Sequence, residues 1–510
     1  MTDWTAGYVA DIGYTFGYYP ELNPIKARLA FLNKGLAAPQ FNTACELGFG
    51  QGLSVSIHAA AGSSEWSGTD FNPSQAGFAQ ELVEASASGA RLYDDAFAEF
   101  LNRTDLPDFD YIGLHGIWSW ISDENRHTVI EFIRRKLRTG GVLYISYNTL
   151  PGWAAFAPMR HLMAEHAATI GSEGHGIISR INGALEFSEK LLATSPAFAL
   201  ANPQVSERIK NIKEQNRQYL AHEYFNRDWH PMHFATMAQW LEPAKLQFAC
   251  SASYLDHIDA LNLSAEQQSF LKTIPDDMFR ESTRDFMVNQ QFRRDYWVKG
   301  ARRLDGFEKV ERIRAIRVML VTAREDVSLK VSGALPASLN EDVYVPILDY
   351  LADYRPRTME EIEQAMSARK LSFAQILQAV MVLTGRGDLA EVQVESCISR
   401  ARVHSDKLNA HIISKARGSH DISHLASPVT GAGVSVTRFQ QLFLLAINQG
   451  KKSPPEWAAF AWMILAAQGQ KVLKDGNVLE TEDANMAELT AQAHEFLTKR
   501  LPVLKALQIL

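Results

Sequence analysis

The chain has 510 residues, 46% of them hydrophobic and 21% charged, and a net charge of -7; this length accommodates two or three domains with cores of their own, and the acidic balance argues against nucleic acid as a main partner. Its three cysteines, Cys45, Cys250 and Cys397, are too few and too scattered for a disulfide framework or a zinc site, which fits a reducing, cytoplasmic setting with no metal. The N-terminal segment has no basic start followed by an apolar core, so no secretory signal is expected, and the most apolar stretch, Trp457 to Ala467, is shorter than the roughly 20 residues of a membrane span and is expected to be a buried helix.

Through the first third of the chain, short apolar runs alternate with helical patterns. Phe41 to Leu47, Glu65 to Asp70, Ala90 to Asp95, Phe109 to Leu114 and Gly141 to Tyr147 read as strands. Between them Ser54 to Ala61, Ser74 to Ala87 and Asn125 to Gly141 carry helical spacing, the last with Gly140 and Gly141 where a helix C-terminus favours glycine. Repeated alternation of this kind predicts an α/β domain whose parallel sheet is covered on both faces and binds its ligand at the carboxyl ends of the strands.

From about Phe156 to Leu241 the pattern is helical. Lys245 to Leu255 and Phe292 to Gly300 then return to strand-like composition and are expected to complete the sheet at one edge. The helical stretch is therefore an insertion in a first domain covering residues 1–305. A second unit, 336–400, begins near Pro336 and shows three helical segments and a short strand pair, the outline of a winged helix. Its third helix has no Lys or Arg between Ser372 and Leu383, so protein interaction or scaffolding is expected rather than base readout. Residues 401–510 are mostly helical and hold one Gly/Pro-rich turn, SPVTGAGVS, at Ser427 to Ser435.

The first strand runs into Glu46-Leu47-Gly48-Phe49-Gly50-Gln51-Gly52. Three glycines at alternate positions let the backbone turn tightly against a ligand before the next helix. A dinucleotide fingerprint spaces its glycines G-x-G-x-x-G, and here the third arrives one residue early. Glu46 would repel a pyrophosphate but suits a cationic amino group. Asp70 ends the second strand, followed by Phe71, where a carboxylate accepts from both hydroxyls of a ribose. At the end of the third strand Asp95, with Asp94 as a competitor, is placed to accept from an adenine amino group, while Ala96 and Phe97 offer a backbone contact and an apolar wall. A nucleoside joined to an amino acid satisfies this set, which points to S-adenosylmethionine.

These residues resemble class I S-adenosylmethionine-dependent methyltransferases. Phe109 to Ser122, Gly140 to Trp153 and Tyr219 to Phe248 are similar to the group that carries a methyltransferase regulatory domain, here about residues 219–300, and that includes the rickettsial outer-membrane-protein lysine methyltransferases. The resemblance covers about residues 8–300 and, more loosely, the C-terminal part. It implies a Rossmann-like methyltransferase domain, S-adenosylmethionine as methyl donor, and accessory domains that help present a substrate. Carried over, the cofactor motif falls on Glu46, Gly48, Gly50 and Gly52, the ribose position on Asp70, the adenine position on Asp95, and the methionine end on His115 and Gly116. Phe49 stands where the family often has a cysteine, and Tyr18 to Pro24 departs from its N-terminal segment, which bears on the acceptor and not on the donor.

Methyl transfer from a sulfonium is an in-line displacement, and an amine acceptor must first lose its proton. His115 after the fourth strand is a candidate base or a hydrogen-bond partner of the cofactor; Tyr147 and Asn148 after the fifth are candidates to orient an amine. Tyr18, Tyr19, Trp118, Trp120 and Trp153 are candidates for an aromatic acceptor pocket suited to cations. His222, His230 and His233 lack Cys or carboxylate partners at a metal-site spacing and are expected to pack between helices. The basic clusters Phe292 to Trp297 and Ser414 to His420 are expected to be solvated faces. The sequence thus predicts a cytoplasmic methyltransferase acting on a protein side chain, lysine first, presented by the C-terminal domains. Methylation of a surface-glycan precursor or small metabolite and cofactor sensing without turnover are the alternatives.

Overall fold

Burial on both faces explains the apolar character of Tyr111 to Leu114 and of Val142 to Ile145. In the computed structural model, which describes residue 13 and residues 15–171, 176–331 and 337–510, every residue of Thr43–Leu47 (β1) and of Phe109–Leu114 (β4) is buried. With Glu65–Thr69 (β2), Arg91–Tyr93 (β3) and Leu137–Asn148 (β5) they form a parallel array. Gln247–Ser251 (β6) and Phe292–Val298 (β7) close the edge in antiparallel fashion, giving the order β3-β2-β1-β4-β5-β7-β6. The segment between β5 and β6 is helical, as its pattern predicts. The strand order reverses at β1 and β4, and such a reversal opens a crevice at the carboxyl ends.

Ile25–Asn33 (α1) precedes the sheet, and Leu53–Ala61 (α2) and Pro73–Ser86 (α3) follow β1 and β2. Asn72 caps α3 by accepting from the Ser74 N–H, and Pro73 occupies the first helical position, where its missing donor costs nothing. The helix after β4 ends at Lys136, ahead of the glycines. Gly140 and Gly141 instead lie inside β5, where Arg138 to Gly141 bulge out between the Leu137–Phe109 and Val142–Tyr111 pairs and Gly140 adopts a φ of +82°.

Gly52 is a packing glycine. Its φ is +68°, and a Cβ there would lie 2.3 Å from the Ala79 Cβ on α3. Gly52→Ala is therefore expected to destabilise the fold by about 2 kcal/mol, within the range for overpacking, read as a lower midpoint in denaturant unfolding; an unchanged midpoint would contradict the packing role.

The region 306–400 departs from the simple outline. Leu389–Glu391 follows the third helix as a single strand and pairs with Arg317–Leu320 (β8), which lies ahead of all three helices and outside 336–400; Arg357–Thr358 covers the other edge of β8. Pro336, the expected start of this unit, lies outside the described residues, as do residues 1–12, where the resemblance begins and where no secretory signal was expected. The turn at Ser427 to Ser435 belongs to a hairpin, His424–Ser427 with Ala432–Ser435. The helix Pro454–Ala467 buries one face through Trp457, Ala458, Ala461 and Leu465, while Met463 is 59% exposed, so it is half-covered and not the fully buried helix its composition suggests. Among the described residues no helix is long and apolar enough to cross a membrane.

The C-terminal part is fixed to the first domain. The helix Glu395–Lys415 lies on α2 and α3, with the Ser405 hydroxyl donating to the Ala60 carbonyl (3.2 Å), Gln393 Nε2 to the Ala61 carbonyl (2.8 Å), and Lys415 paired with Glu81 (2.9 Å). Leu53 and Ile57 share a core with Leu408, Ile412 and Leu442.

Candidate active site

The turn after β1 and the ends of β2, β3 and β4 converge on one cleft. Glu46, Gly48, Phe49 and Gly50 line it from the first turn, Asp70 and Phe71 from the second, Asp95, Ala96 and Phe97 from the third, and His115 and Gly116 from the fourth. Tyr19, Ile117, Trp120 and Asp228 complete much of the wall. Gly52 and Asp94 are not among the lining residues: the first packs against α3, and Asp94 is exposed. Ile117 and Asp228 were not anticipated; Ile117 occupies the space that a Cβ on Gly48 would need, with its Cδ1 at 2.5 Å.

The acids are held in distinct ways. Asp70 accepts from the Gly50 N–H (2.8 Å) through one oxygen and from the Asn72 N–H (3.1 Å) through the other, and burial pushes its carboxyl up to about 6. A carboxylate offers about four acceptor sites, so capacity for two hydroxyls remains. Glu46 is 3% exposed, and its Oε2 is buried without a hydrogen-bond partner among the described residues. Burial, with Asp70 nearby, raises its carboxyl well above the usual range. Asp95 pairs one oxygen with Arg103 at 2.9 Å. Gly116 takes a φ of +67°, nothing lies within 4 Å of where its Cβ would point, and its N–H donates to the Ser146 hydroxyl (2.8 Å).

These features fit the cofactor inferred from the sequence. An orphaned buried carboxylate calls for a cation, which the amino group of S-adenosylmethionine supplies, and Asp70 stands one strand over, at the end of β2, with free acceptor capacity. Because hydroxyl donors and a cationic amine both favour ionised carboxylates, ligand binding is linked to deprotonation of Asp70 and Glu46. Affinity for S-adenosylhomocysteine is accordingly expected to weaken as pH falls through the Asp70 value of about 6, measured by calorimetry at several pH values; affinity flat across that range would contradict the assignment.

A second cavity adjoins the first and shares Tyr19, His115, Gly116 and Trp120 with it. Asn148, Trp153 and Phe292 line it from the sheet side, and Arg208, Tyr219 and Glu223 from the helical insertion. His115 stacks on Tyr19 with ring centres 4.0 Å apart and its Nδ1 is 2.7 Å from the Tyr144 hydroxyl. Burial lowers its pKa to about 4, so it is a neutral wall of both cavities and a weak base.

Besides Gly52 and Asp94, three predicted site residues fall elsewhere. Tyr147 is fully buried and donates to Asp295 (2.8 Å) on β7. Residues alternate across a strand, and with Tyr144, Ser146 and Asn148 on the cleft side, Tyr147 is on the other. Trp118 is buried beneath the site, its Nε1 directed at the Met232 sulfur (3.3 Å). Tyr18 meets His58 Nε2 (3.0 Å) and accepts from the Gly433 N–H (2.7 Å), joining the N-terminal segment to the C-terminal hairpin. No residue beyond Phe292 lines either cavity among the described residues, so the walls of both come from the first domain with its insertion and regulatory region.

Residues 216–299 match the family model described as the predicted methyltransferase regulatory domain. An uncharacterized protein of Synechocystis is 39% identical over 99% of both chains, and an uncharacterized protein of Rickettsia prowazekii is 30% identical over 37% of this chain and 76% of its own. The chain belongs to the family of the Synechocystis protein and carries within it the region that matches the methyltransferase regulatory domain. In fold it is similar to Rickettsia typhi PKMT2, whose structure is in complex with AdoHcy: the TM-score is 0.68 at 17% identity, over 95% of this chain and 98% of the other.

Proposed function

We propose that this protein methylates the side-chain amine of a lysine in a polypeptide, in the cytoplasm. The observation that carries the reading is the junction of the two cavities: the cleft with the orphaned Glu46 carboxylate opens, past Tyr19, His115 and Trp120, into a second space walled by Trp153, Tyr219 and Phe292. Aromatic faces favour a cation and accept its alkyl stem. Bound S-adenosylmethionine supplies an electrophilic methyl group on a sulfonium. Glu46 holds the amino group of the cofactor, Asp70 its ribose, and Asp95 with the apolar Phe97 its adenine end. His115 and Gly116 border the methionine part, Trp120 and Tyr19 exclude water, and Asn148 orients the acceptor, so the chain contributes mainly positioning and desolvation. The similarity to a chain named PKMT2 agrees with a polypeptide acceptor. Residues 306–400, whose third helix lacks basic residues along most of its length, and the docked helices 401–510 serve as scaffold, with β8 as the centre of the winged-helix-like unit.

The test is to incubate the purified protein with methyl-labelled S-adenosylmethionine and extract of its source cells and to count label in separated polypeptides, glycans and small molecules. Label in a discrete polypeptide, recovered as methyllysine, is the expected result. Label confined to glycans or small molecules would replace the acceptor, and cofactor binding without transfer would make the protein a sensor.

A further inference from the structure

The helix Arg217–Tyr224 brings a carboxylate to the junction of the two cavities. Trp120, a wall of both, donates its indole N–H to the Glu223 backbone carbonyl (3.2 Å), so Glu223 is tied directly to the shared wall while its residue lines the second cavity. No ion pair to the Glu223 carboxylate is formed among the described residues. The two cations whose charges act on it are engaged in other contacts. Arg208 lies over the rings of Trp153 (4.0 Å) and Phe156 (4.6 Å), and Arg160 donates to the Asn226 carbonyl (2.5 Å) and lies over Trp229. An acid without an ion-pair partner in an aromatic enclosure is an uncommon and costly arrangement unless a cation arrives to meet it.

Resting on the lysine reading above, we propose that Glu223 binds the ammonium group of the acceptor and takes its proton, which makes the regulatory domain the source of a catalytic residue. The step is a simple exchange: one N–H bond of the ammonium breaks, an O–H bond forms on the Glu223 carboxylate, and the electron pair stays on nitrogen as the lone pair of a neutral amine. Desolvation favours this direction, because burial disfavours the charged form of both partners. Burial raises the Glu223 carboxyl to about 7, opposed by Arg208 and Arg160, which brings it nearer to the amine than an ordinary carboxylate. Trp120 and Trp153 bring fluorescent rings to the same walls and report on occupancy.

The proposal is tested by binding, in the full-length chain with S-adenosylhomocysteine present. Nα-acetyl-lysine-N-methylamide and its norleucine counterpart, which has the same stem without the amine, are titrated while tryptophan fluorescence is followed. The lysine probe is expected to bind about tenfold tighter, as a charge-assisted hydrogen bond implies, and Glu223→Gln is expected to abolish that preference while affinity for S-adenosylhomocysteine stays unchanged. Equal binding of the two probes, binding of neither, or a preference that survives Glu223→Gln would overturn the assignment. If S-adenosylhomocysteine itself failed to bind, the methyltransferase reading would fall first and this one with it; if it bound and only the preference were missing, the failure would belong to Glu223 alone.

Discussion

Asp70→Ala is expected to weaken S-adenosylhomocysteine binding by about a hundredfold or more while leaving the protein folded. The carboxylate receives the Gly50 N–H and the Asn72 N–H, so its loss removes the ribose acceptors and also releases the turn that places Gly48 and Gly50. Hydrogen bonds to a charged group are worth about 1.5–3 kcal/mol each, and two of them already correspond to that loss. Asp70→Asn separates the two contributions, since it keeps an acceptor for the backbone and lacks the charge; an intermediate affinity is expected. Calorimetric titration reads the affinity and thermal unfolding controls for the fold. Undiminished binding by Asp70→Ala would remove the ribose assignment.

The second large effect falls on stability. Arg293 on β7 donates to Asp295 (2.8 and 3.0 Å), Asp285 (2.6 Å) and Glu281 (3.0 Å), with its own side chain 5% exposed. Tyr147 donates to the same Asp295, and the guanidinium lies 4.4 Å from the centre of the Phe234 ring. Arg293→Ala strands three acids without their central counter-ion, and removing one partner of a buried ionic cluster costs about 3–5 kcal/mol. Burial already pushes Asp285 up to about 7, so the mutant can relieve the repulsion by taking up protons. Its deficit in denaturant-measured stability is therefore expected to be smaller in mildly acidic buffer than at neutral pH. A stability loss that is small, or the same at both, would show that Arg293 is not the keystone of this edge.

Arg293 also marks a limit of reading the chain directly. As a basic residue beside Arg294 it looks like part of a solvated face, and only pairing of β7 with β5 and β6 turns it toward Asp285 and Asp295. By contrast, β4 and β5 were legible because strands buried on both faces are largely apolar, β1 and β2 were legible from their place between helical patterns, and the glycine turn was legible because a left-handed backbone recruits glycine. Even there Gly48 and Gly50 border the cleft, whereas Gly52 makes room for Ala79. The placement of Tyr147 was recoverable from strand alternation: once Asn148 faces the cleft its neighbour does not. Glu223 was not recoverable, because its position depends on how the helical insertion folds back over Trp120, a tertiary fact with no local signature. Likewise β8 pairs across a long interval of sequence with Leu389–Glu391, and no pattern near either strand announces the partner.

The central claim is that one cleft holds the cofactor at Glu46 and Asp70 and opens into the acceptor cavity beside Glu223. The most direct measurement is a crystal structure of the full-length protein with S-adenosylhomocysteine. The account predicts the ligand's ribose hydroxyls on Asp70, its amino group on Glu46, and its sulfur directed toward the space bordered by Tyr19, His115 and Trp120. Ligand bound in solution but found outside this cleft, or lying in it with Glu46 still unpartnered, would contradict it.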